Sequence, residues 1–158
     1  MADRFEKAMM EGKEYANDHE FAEARAAFQE ALRYKGDSPE AHYYFAFAAS
    51  EETGSKFLAT LTEKGISLGH LHIGWQEALH PDNHAKTVER VEKAYGKGKT
   101  LFYKFAAANA RRQLASCVKH LHVAITMRPH YIFARELLEK LEPLAEASPL
   151  SMVAAVLS

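Results

Sequence analysis

Histidine is the residue of this chain best suited to bind a metal ion, and the sequence contains nine of them. Three pairs are closely spaced: His70 with His72, His120 with His122, and His80 with His84. On a helix, residues i and i+2 point about 200° apart, so a pair with that spacing cannot chelate one ion. The third pair has helical chelate spacing, but Pro81-Asp82-Asn83 between its members indicates a turn. We therefore predict no metal site and expect these histidines at the surface or at helix ends.

A stretch rich in glycine and lysine, Gly96-Lys97-Gly98-Lys99-Thr100, has the residue types of the end of a phosphate-binding loop. The first glycine of such a loop would fall at Lys93, and a strand would have to precede it, whereas the pattern before Gly96 is helical. We therefore exclude a phosphate-binding loop. We predict that Gly96 ends a helix and begins a solvated connector.

Cys117 is the single cysteine, which excludes a disulfide within these residues and fits a reducing compartment. His120 follows one helical turn later and is a candidate base for the thiol. The helical pattern instead places Cys117 where a small residue packs between helices, and a thiol buried in apolar surroundings is unreactive. We therefore predict no catalytic residue, no cofactor and no enzymatic activity.

The composition is typical of a folded domain. Of 158 residues, 47% are hydrophobic, 26% charged and 11% aromatic, which excludes a disordered or low-complexity chain. The net charge of -1 excludes a uniformly basic coat protein for nucleic acid. No stretch approaches the roughly 20 apolar residues of a membrane helix, and the charged N-terminus is unlike a signal peptide. We expect a cytoplasmic protein without a membrane partner.

Charge is distributed unevenly along the chain. Residues 1–66 contain 8 Lys and Arg against 13 Asp and Glu, a net charge of -5, whereas residues 67–158 contain 12 against 8, a net charge of +4. Within residues 86–128, ten basic residues accompany only Glu89 and Glu92. This segment is either a solvated outer face or a surface that binds nucleic-acid phosphate or another anion.

The predicted basic surface consists of Lys86, Arg90, Lys93, Lys97, Arg111 and Arg112. The first four recur at intervals of three and four residues, so we expect them on one face of one helix.

Apolar residues recur at intervals of three and four residues along most of the chain, which predicts amphipathic helices. No run alternates as a strand would, so the sequence predicts an all-α fold. The predicted helices cover about residues 4–16, 21–34, 39–50, 55–64, 68–79, 84–95, 101–112, 114–127, 131–141 and 150–157. Ser38 and Pro39 are a good cap and first residue for the third of these, and Glu51-Glu52-Thr53-Gly54 is expected to end it. Between Glu51 and Lys99 the register stays open, and one long helix is an alternative to two.

Small and aromatic residues repeat in these helix pairs with a period of roughly 30–34 residues. In the first pair the repeated positions hold Gly12, Tyr15, Ala24, Phe28 and Ala31. In a later pair they hold Cys117, Leu121, Ala124 and Pro129. This pattern resembles that of the tetratricopeptide repeat (TPR) family of helical repeat proteins.

The resemblance implies a short right-handed solenoid of antiparallel helix pairs, with about nine helices and a C-terminal capping helix. A single TPR-like domain would cover residues 1–158. Its parts are a clear repeat at 4–39, weaker units at 39–66 and 67–98, a second clear unit at 99–129, a capping helix at 130–142 and an apolar terminal helix at 149–158. The capping helix carries Ile132, Phe133, Leu137, Leu138 and Leu141, of which three or four are expected to be buried. The terminal helix has three alternatives: packing on the capping helix, occupying the groove, or binding a second subunit.

The resemblance also implies that the first helix of each pair lines a concave groove that binds a peptide. The residues expected to line it are Met9, Lys13, Tyr43, Phe47, Phe102, Ala106 and Asn109, with Lys99 at one rim. Ordinary core packing is the alternative for Tyr43 and Phe47. The leading hypothesis is therefore a non-enzymatic scaffold or adaptor that binds a segment of another protein, or that self-associates through the terminal helix. The alternative is binding of nucleic acid or another anion through residues 86–128.

Overall fold

The computed structural model describes residues 3–145. Its seven α-helices are α1 (Arg4–Asn17), α2 (Phe21–Tyr34), α3 (Pro39–Glu63), α4 (Trp75–Leu79), α5 (His84–Tyr95), α6 (Lys97–Met127) and α7 (Ile132–Leu141). Two short 3-10 helices, Pro81–Asn83 and Glu142–Leu144, follow α4 and α7. These residues contain no strand, which confirms the predicted all-α fold. Residues 3–145 also include no helix with the length and apolar character needed to cross a membrane. The apolar terminal helix predicted over 149–158 lies outside the described residues.

Helices α1 and α2 form the predicted hairpin. Asp3 caps α1, because its Oδ1 accepts a hydrogen bond from the backbone N–H of Glu6 at 2.7 Å. A Cβ atom on Gly12 would lie 2.5 Å from Cε1 of Phe28, so only glycine admits the Phe28 ring this close to α1. Gly12 and Phe28, two of the repeated positions, therefore pack against each other. Tyr15, another of the repeated positions, is 38% exposed.

Helix α3 begins as predicted but does not end as predicted. The Oγ of Ser38 accepts a hydrogen bond from the backbone N–H of Ala41 at 3.1 Å, and Pro39 is the first helical residue. The helix continues through Glu51–Gly54 to Glu63, so the two helices predicted here are one. A Cβ atom on Gly54 would lie 2.4 Å from the Trp75 indole. Gly54 therefore does not end the helix; its missing side chain leaves space in which the Trp75 ring packs.

The helix predicted over 68–79 is wrong for most of its length, because only Trp75–Leu79 is helical. The preceding residues form turns with left-handed backbone at Gly65 (φ 80°) and His72 (φ 57°). Ile66, Leu68 and Ile73 are buried, so the apolar spacing that suggested a helix anchors a folded loop instead.

Gly96 ends α5 in a left-handed conformation (φ 91°), as predicted. The connector predicted after it is wrong, because α6 begins at Lys97. The hydroxyl of Thr100 donates to the carbonyl oxygen of Gly96 at 2.7 Å and stabilises this first turn. The two helices predicted over 101–127 are one, since the residues between them include neither Gly nor Pro.

The chain divides into two compact units, each assembled from separate stretches. The first unit comprises the described residues of Met1–Glu52 and of Ser116–Glu142. The second unit comprises those of Thr53–Ala115 and of Pro143–Ser158.

In the first unit, Phe28 is fully buried and stacks on Tyr44 with ring centroids 5.3 Å apart. Ala24 and Ala31 on α2 are also fully buried, so these two small repeated residues lie in the core of the unit. The burial predicted for α7 is partly wrong. Ala134 and Leu141 are buried, as is Tyr131 just before the helix. Ile132 and Phe133 are instead 65% and 64% exposed. Leu137 and Leu138 are half-buried.

In the second unit, Tyr103 is the largest fully buried side chain. Its hydroxyl donates to the carbonyl oxygen of Ala78 at 3.3 Å, and its ring centroid lies 6.1 Å from that of Phe57. Burial raises the pKa of Tyr103. Leu61 and Val91 are fully buried as well, so α3, α5 and α6 each contribute to this core.

Candidate functional site

The residues predicted to line a peptide groove are divided between the two units. Met9, Lys13, Tyr43 and Phe47 belong to the first unit, and Lys99, Phe102, Ala106 and Asn109 belong to the second.

Two of the first-unit residues are engaged in packing or pairing. Met9 is only 6% exposed and belongs to the apolar core, and it also lines a surface cavity of this unit together with Lys13 and Glu40. The Nζ of Lys13 lies 2.7 Å from Oε1 of Glu40 and 5.0 Å from the centroid of the Tyr44 ring. The hydrogen bond to Glu40 raises the pKa of Lys13.

Tyr43 and Phe47 lie in an aromatic cluster of the first unit. Their ring centroids are 6.5 Å apart, and the Tyr43 ring also lies 5.3 Å from Tyr131 and 6.3 Å from Phe133. The Phe47 ring meets Phe21 edge-on at 5.9 Å. Both side chains are half-buried. Burial raises the pKa of Tyr43. These contacts agree with the packing alternative stated for Tyr43 and Phe47.

In the second unit, two of the predicted residues take part in cation–π contacts. The Nζ of Lys99 lies 5.8 Å from the centroid of the Tyr95 ring. The Nζ of Lys64 lies 5.5 Å from the centroid of the Phe102 ring. Lys99 is exposed and Phe102 is half-buried, so neither is withdrawn from the surface.

Ala106 and Asn109 line a cleft between α3 and α6 in the second unit, with a volume of about 170 Å³. Helix α3 contributes Thr53, Lys56, Phe57 and Thr60, and helix α6 contributes Ala106, Asn109, Ala110 and Gln113. Both sets follow the spacing i, i+3, i+4, i+7, which is one face of a helix over two turns. The cleft is therefore formed by two matching helix faces.

Burial separates the floor of this cleft from its rim. Thr53, Phe57 and Ala110 are buried, and Ala106 is half-buried. The rim consists of the exposed side chains of Lys56, Thr60, Asn109 and Gln113. These supply one cation, one hydroxyl and two amide groups, and none of the eight lining residues is Asp or Glu. The rim can therefore both donate and accept hydrogen bonds.

Sequence reasoning found Asn109 and Ala106 but missed most of the cleft. The sequence pattern predicts Thr53 at a helix end, and Lys56, Phe57 and Thr60 near the start of a separate helix. The same i, i+3, i+4, i+7 spacing, read across Gly54, is the signal that could have identified this face.

The predicted basic surface is only partly continuous. Lys86, Arg90 and Lys93 are exposed on one face of α5, whereas Lys97 begins α6 beyond Gly96, so the prediction of a single helix face with Lys97 is wrong. Arg90 donates through Nη2 to the carbonyl oxygen of Leu71.

The two arginines predicted for the same surface lie on α6. The Nε of Arg111 donates to the carbonyl oxygen of Leu144 at 3.1 Å, and Arg112 is exposed. Glu89 and Glu92 lie beside Lys93 on α5 and reduce its local positive potential.

The eight residues that line the cleft include no histidine or cysteine. Within residues 3–145, no three His, Cys, Asp or Glu side chains are grouped so that they could hold a metal ion. Cys117 is buried, as predicted, and burial raises the pKa of its thiol to about 12, so the thiol is protonated near neutral pH. In the second unit, burial and the charges of Arg111 and Lys104 lower the pKa of His84.

No protein-family model, curated protein or solved structure matches this chain.

Proposed function

We propose that the chain is a non-enzymatic protein-interaction module that binds a segment of another protein in the cleft between α3 and α6. The observation that carries the proposal is the pair of matching helix faces around Phe57, with Asn109 and Gln113 on the rim. We also propose that the helices form a short right-handed TPR-like solenoid, on the strength of the residue pattern that includes Gly12 and Phe28. Action in the cytoplasm, without a cofactor, belongs to the same proposal.

The size of the cleft favours a protein segment over a small-molecule substrate. Sites for small molecules and cofactors usually have volumes of about 300–1,000 Å³. The cleft has about 170 Å³, which is enough for one side chain or two small ones. A segment lying across the rim would insert such a side chain above Phe57. Its backbone amides would pair with the side-chain amides of Asn109 and Gln113, which lie one helical turn apart.

The charge of the cleft favours an acidic side chain in the bound segment. Lys56 is the charged residue among the eight that line it. A carboxylate near Lys56 gains charge complementarity, whereas a lysine or arginine there faces a like charge. The proposed ligand is therefore an extended segment with Asp or Glu at the position that enters the cleft.

The experiment is a selection of random peptides on the immobilised full chain, followed by affinity measurements with a double variant, Asn109→Ala with Gln113→Ala. We expect the selected peptides to be enriched in Asp or Glu and to bind the double variant at least tenfold more weakly. Gln76→Ala is the matched control, because Gln76 is an exposed amide on α4 of the same unit, outside the cleft. Equal affinity of the selected peptides for wild type and double variant would reject the cleft as the binding site.

A second candidate function is binding of nucleic acid through the basic surface. Its specific support is the exposed row of Lys86, Arg90 and Lys93 on α5. Binding to phosphates releases counterions, so affinity for a single-stranded or double-stranded oligonucleotide would fall steeply as salt rises. Triple replacement of the row by Gln would remove that slope. A flat salt response in the wild type would eliminate this function.

A further inference from the structure

Two imidazole rings are joined by a hydrogen bond inside the first unit. The Nδ1 atoms of His42 on α3 and His120 on α6 are 2.8 Å apart, and the ring centroids are 5.1 Å apart. His42 is only 9% exposed, and its Nε2 lies 2.8 Å from the carbonyl oxygen of Gly36. The ring of His120 packs on Phe45 with centroids 4.5 Å apart. The pair therefore links two helices and the connection before α3.

The partners of His42 determine where the protons of the neutral pair lie. A carbonyl oxygen only accepts, so Nε2 of His42 must carry its proton. Nδ1 of neutral His42 is then an acceptor, and Nδ1 of His120 must donate to it. A proton added to each ring places two N–H donors and two positive charges against each other. The hydrogen bond between α3 and α6 is lost in that state.

The charges around the pair do not compensate for added protons. Burial and the charge of His42 lower the pKa of His120. On α6, the Cys117 thiol one turn before His120 is protonated, and Lys119 beside His120 is exposed and positive.

Most carboxylates on the other elements of this unit are paired or exposed, whereas Glu51 of α3 is half-buried and burial raises its pKa. On α3, Glu40 pairs with Lys13. Glu52, also on α3, pairs with Arg25 of α2. On the connection before α3, Asp37 is exposed.

We propose that the His42–His120 pair is an acid-sensitive latch, so that protonation of both rings below neutral pH loosens α3 from α6 within the first unit. This inference is independent of the proposed peptide cleft, which belongs to the second unit.

The first experiment compares the pH dependence of unfolding in wild type, His120→Gln and His122→Gln. Glutamine can present either an amide N–H or a carbonyl oxygen to His42, so His120→Gln satisfies both charge states of His42. A histidine with an ordinary unfolded pKa near 6.5 and a lowered folded pKa binds its proton more readily when unfolded. The unfolding equilibrium constant of the wild type should therefore rise by up to about tenfold more than that of His120→Gln between pH 7.5 and 5.5.

His122→Gln is the matched control, because His122 is an exposed histidine on α6, two residues after His120. Its Nε2 lies 3.1 Å from Oε2 of Glu142. It should keep the wild-type response. The latch is rejected if His120→Gln retains the full pH response, or if His122→Gln loses it.

A second experiment uses the wild-type protein, so its outcome does not depend on whether a variant folds. NMR spectra of the imidazole nitrogens should show His120 as the Nδ1–H tautomer and His42 as the Nε2–H tautomer at pH 7.5. Amide hydrogen exchange, corrected for intrinsic rates, should accelerate in residues 116–127 at pH 5.5 but not in residues 103–115 of the same helix. A His120 ring that titrates as a solvent-exposed histidine would overturn the proposal.

Discussion

The two units use their polar side chains differently. In the first unit, Lys13 pairs with Glu40 and His42 pairs with His120, so polar groups join elements of the unit to each other. In the second unit, Asn109 and Gln113 stand on the exposed rim of a cleft. The sequence analysis predicts Lys13 and Asn109 in one groove, although they belong to different units. A neighbouring partner, rather than residue type, therefore determines whether a polar side chain joins two elements or remains exposed to solvent.

The largest expected effect separates core from surface. Phe28→Ala in the first unit removes a fully buried ring and should lower the free energy of unfolding by about 3–5 kcal/mol. Phe105→Ala in the second unit removes a ring that is 54% exposed. This variant should change the free energy of unfolding by less than about 0.5 kcal/mol. Urea unfolding followed by circular dichroism measures both. Comparable losses for the two variants would contradict the burial of Phe28 and the exposure of Phe105.

A matched pair of glycine substitutions tests the same packing principle once in each unit. Alanine at Gly12 would meet Phe28, and alanine at Gly54 would meet Trp75, each at less than 3 Å. Overpacking costs about 1–3 kcal/mol, and the better helix propensity of alanine recovers about 0.5–1 kcal/mol. Each variant should therefore be destabilised by about 1–2 kcal/mol in urea unfolding. A stabilised Gly54→Ala would indicate that Gly54 is only a weak point of α3.

The smallest stability effects distinguish the aromatic cluster from the cleft. Tyr43→Ala removes ring contacts to Phe47 and Tyr131 and should cost about 1–2 kcal/mol without changing peptide affinity. Gln113→Ala removes an exposed amide and should cost less than about 0.5 kcal/mol while weakening peptide binding. Thermal unfolding and fluorescence anisotropy with a selected peptide give the two readouts. The opposite assignment of losses would place the binding surface in the first unit.

Much of the fold was predictable because its signals are local. The cap at Ser38, the first residue Pro39 and the left-handed Gly96 each act within one turn, and all three lie where the sequence predicted them. The length of α3 was not predictable in this way. Gly54 is a poor helix residue by propensity, and its tolerance depends on Trp75, which is distant in sequence.

The candidate site was less predictable than the fold for the same reason. Asn109 was identified, but the α3 face that completes the cleft crosses Gly54, where the helix was expected to end. The burial of Met9 and the pairing of Lys13 with Glu40 likewise depend on contacts between elements. Helical spacing shows which residues share a face, but it does not show what that face meets.

Binding in the α3–α6 cleft is tested by NMR mapping of an acidic peptide, selected on the full chain, onto the isotope-labelled protein. We predict that the largest shifts fall on the side-chain amides of Asn109 and Gln113 and on the backbone of residues 53–60, and that Asn109→Ala with Gln113→Ala abolishes them. Shifts confined to the aromatic cluster around Tyr43, or unchanged in the double variant, would contradict binding in the α3–α6 cleft.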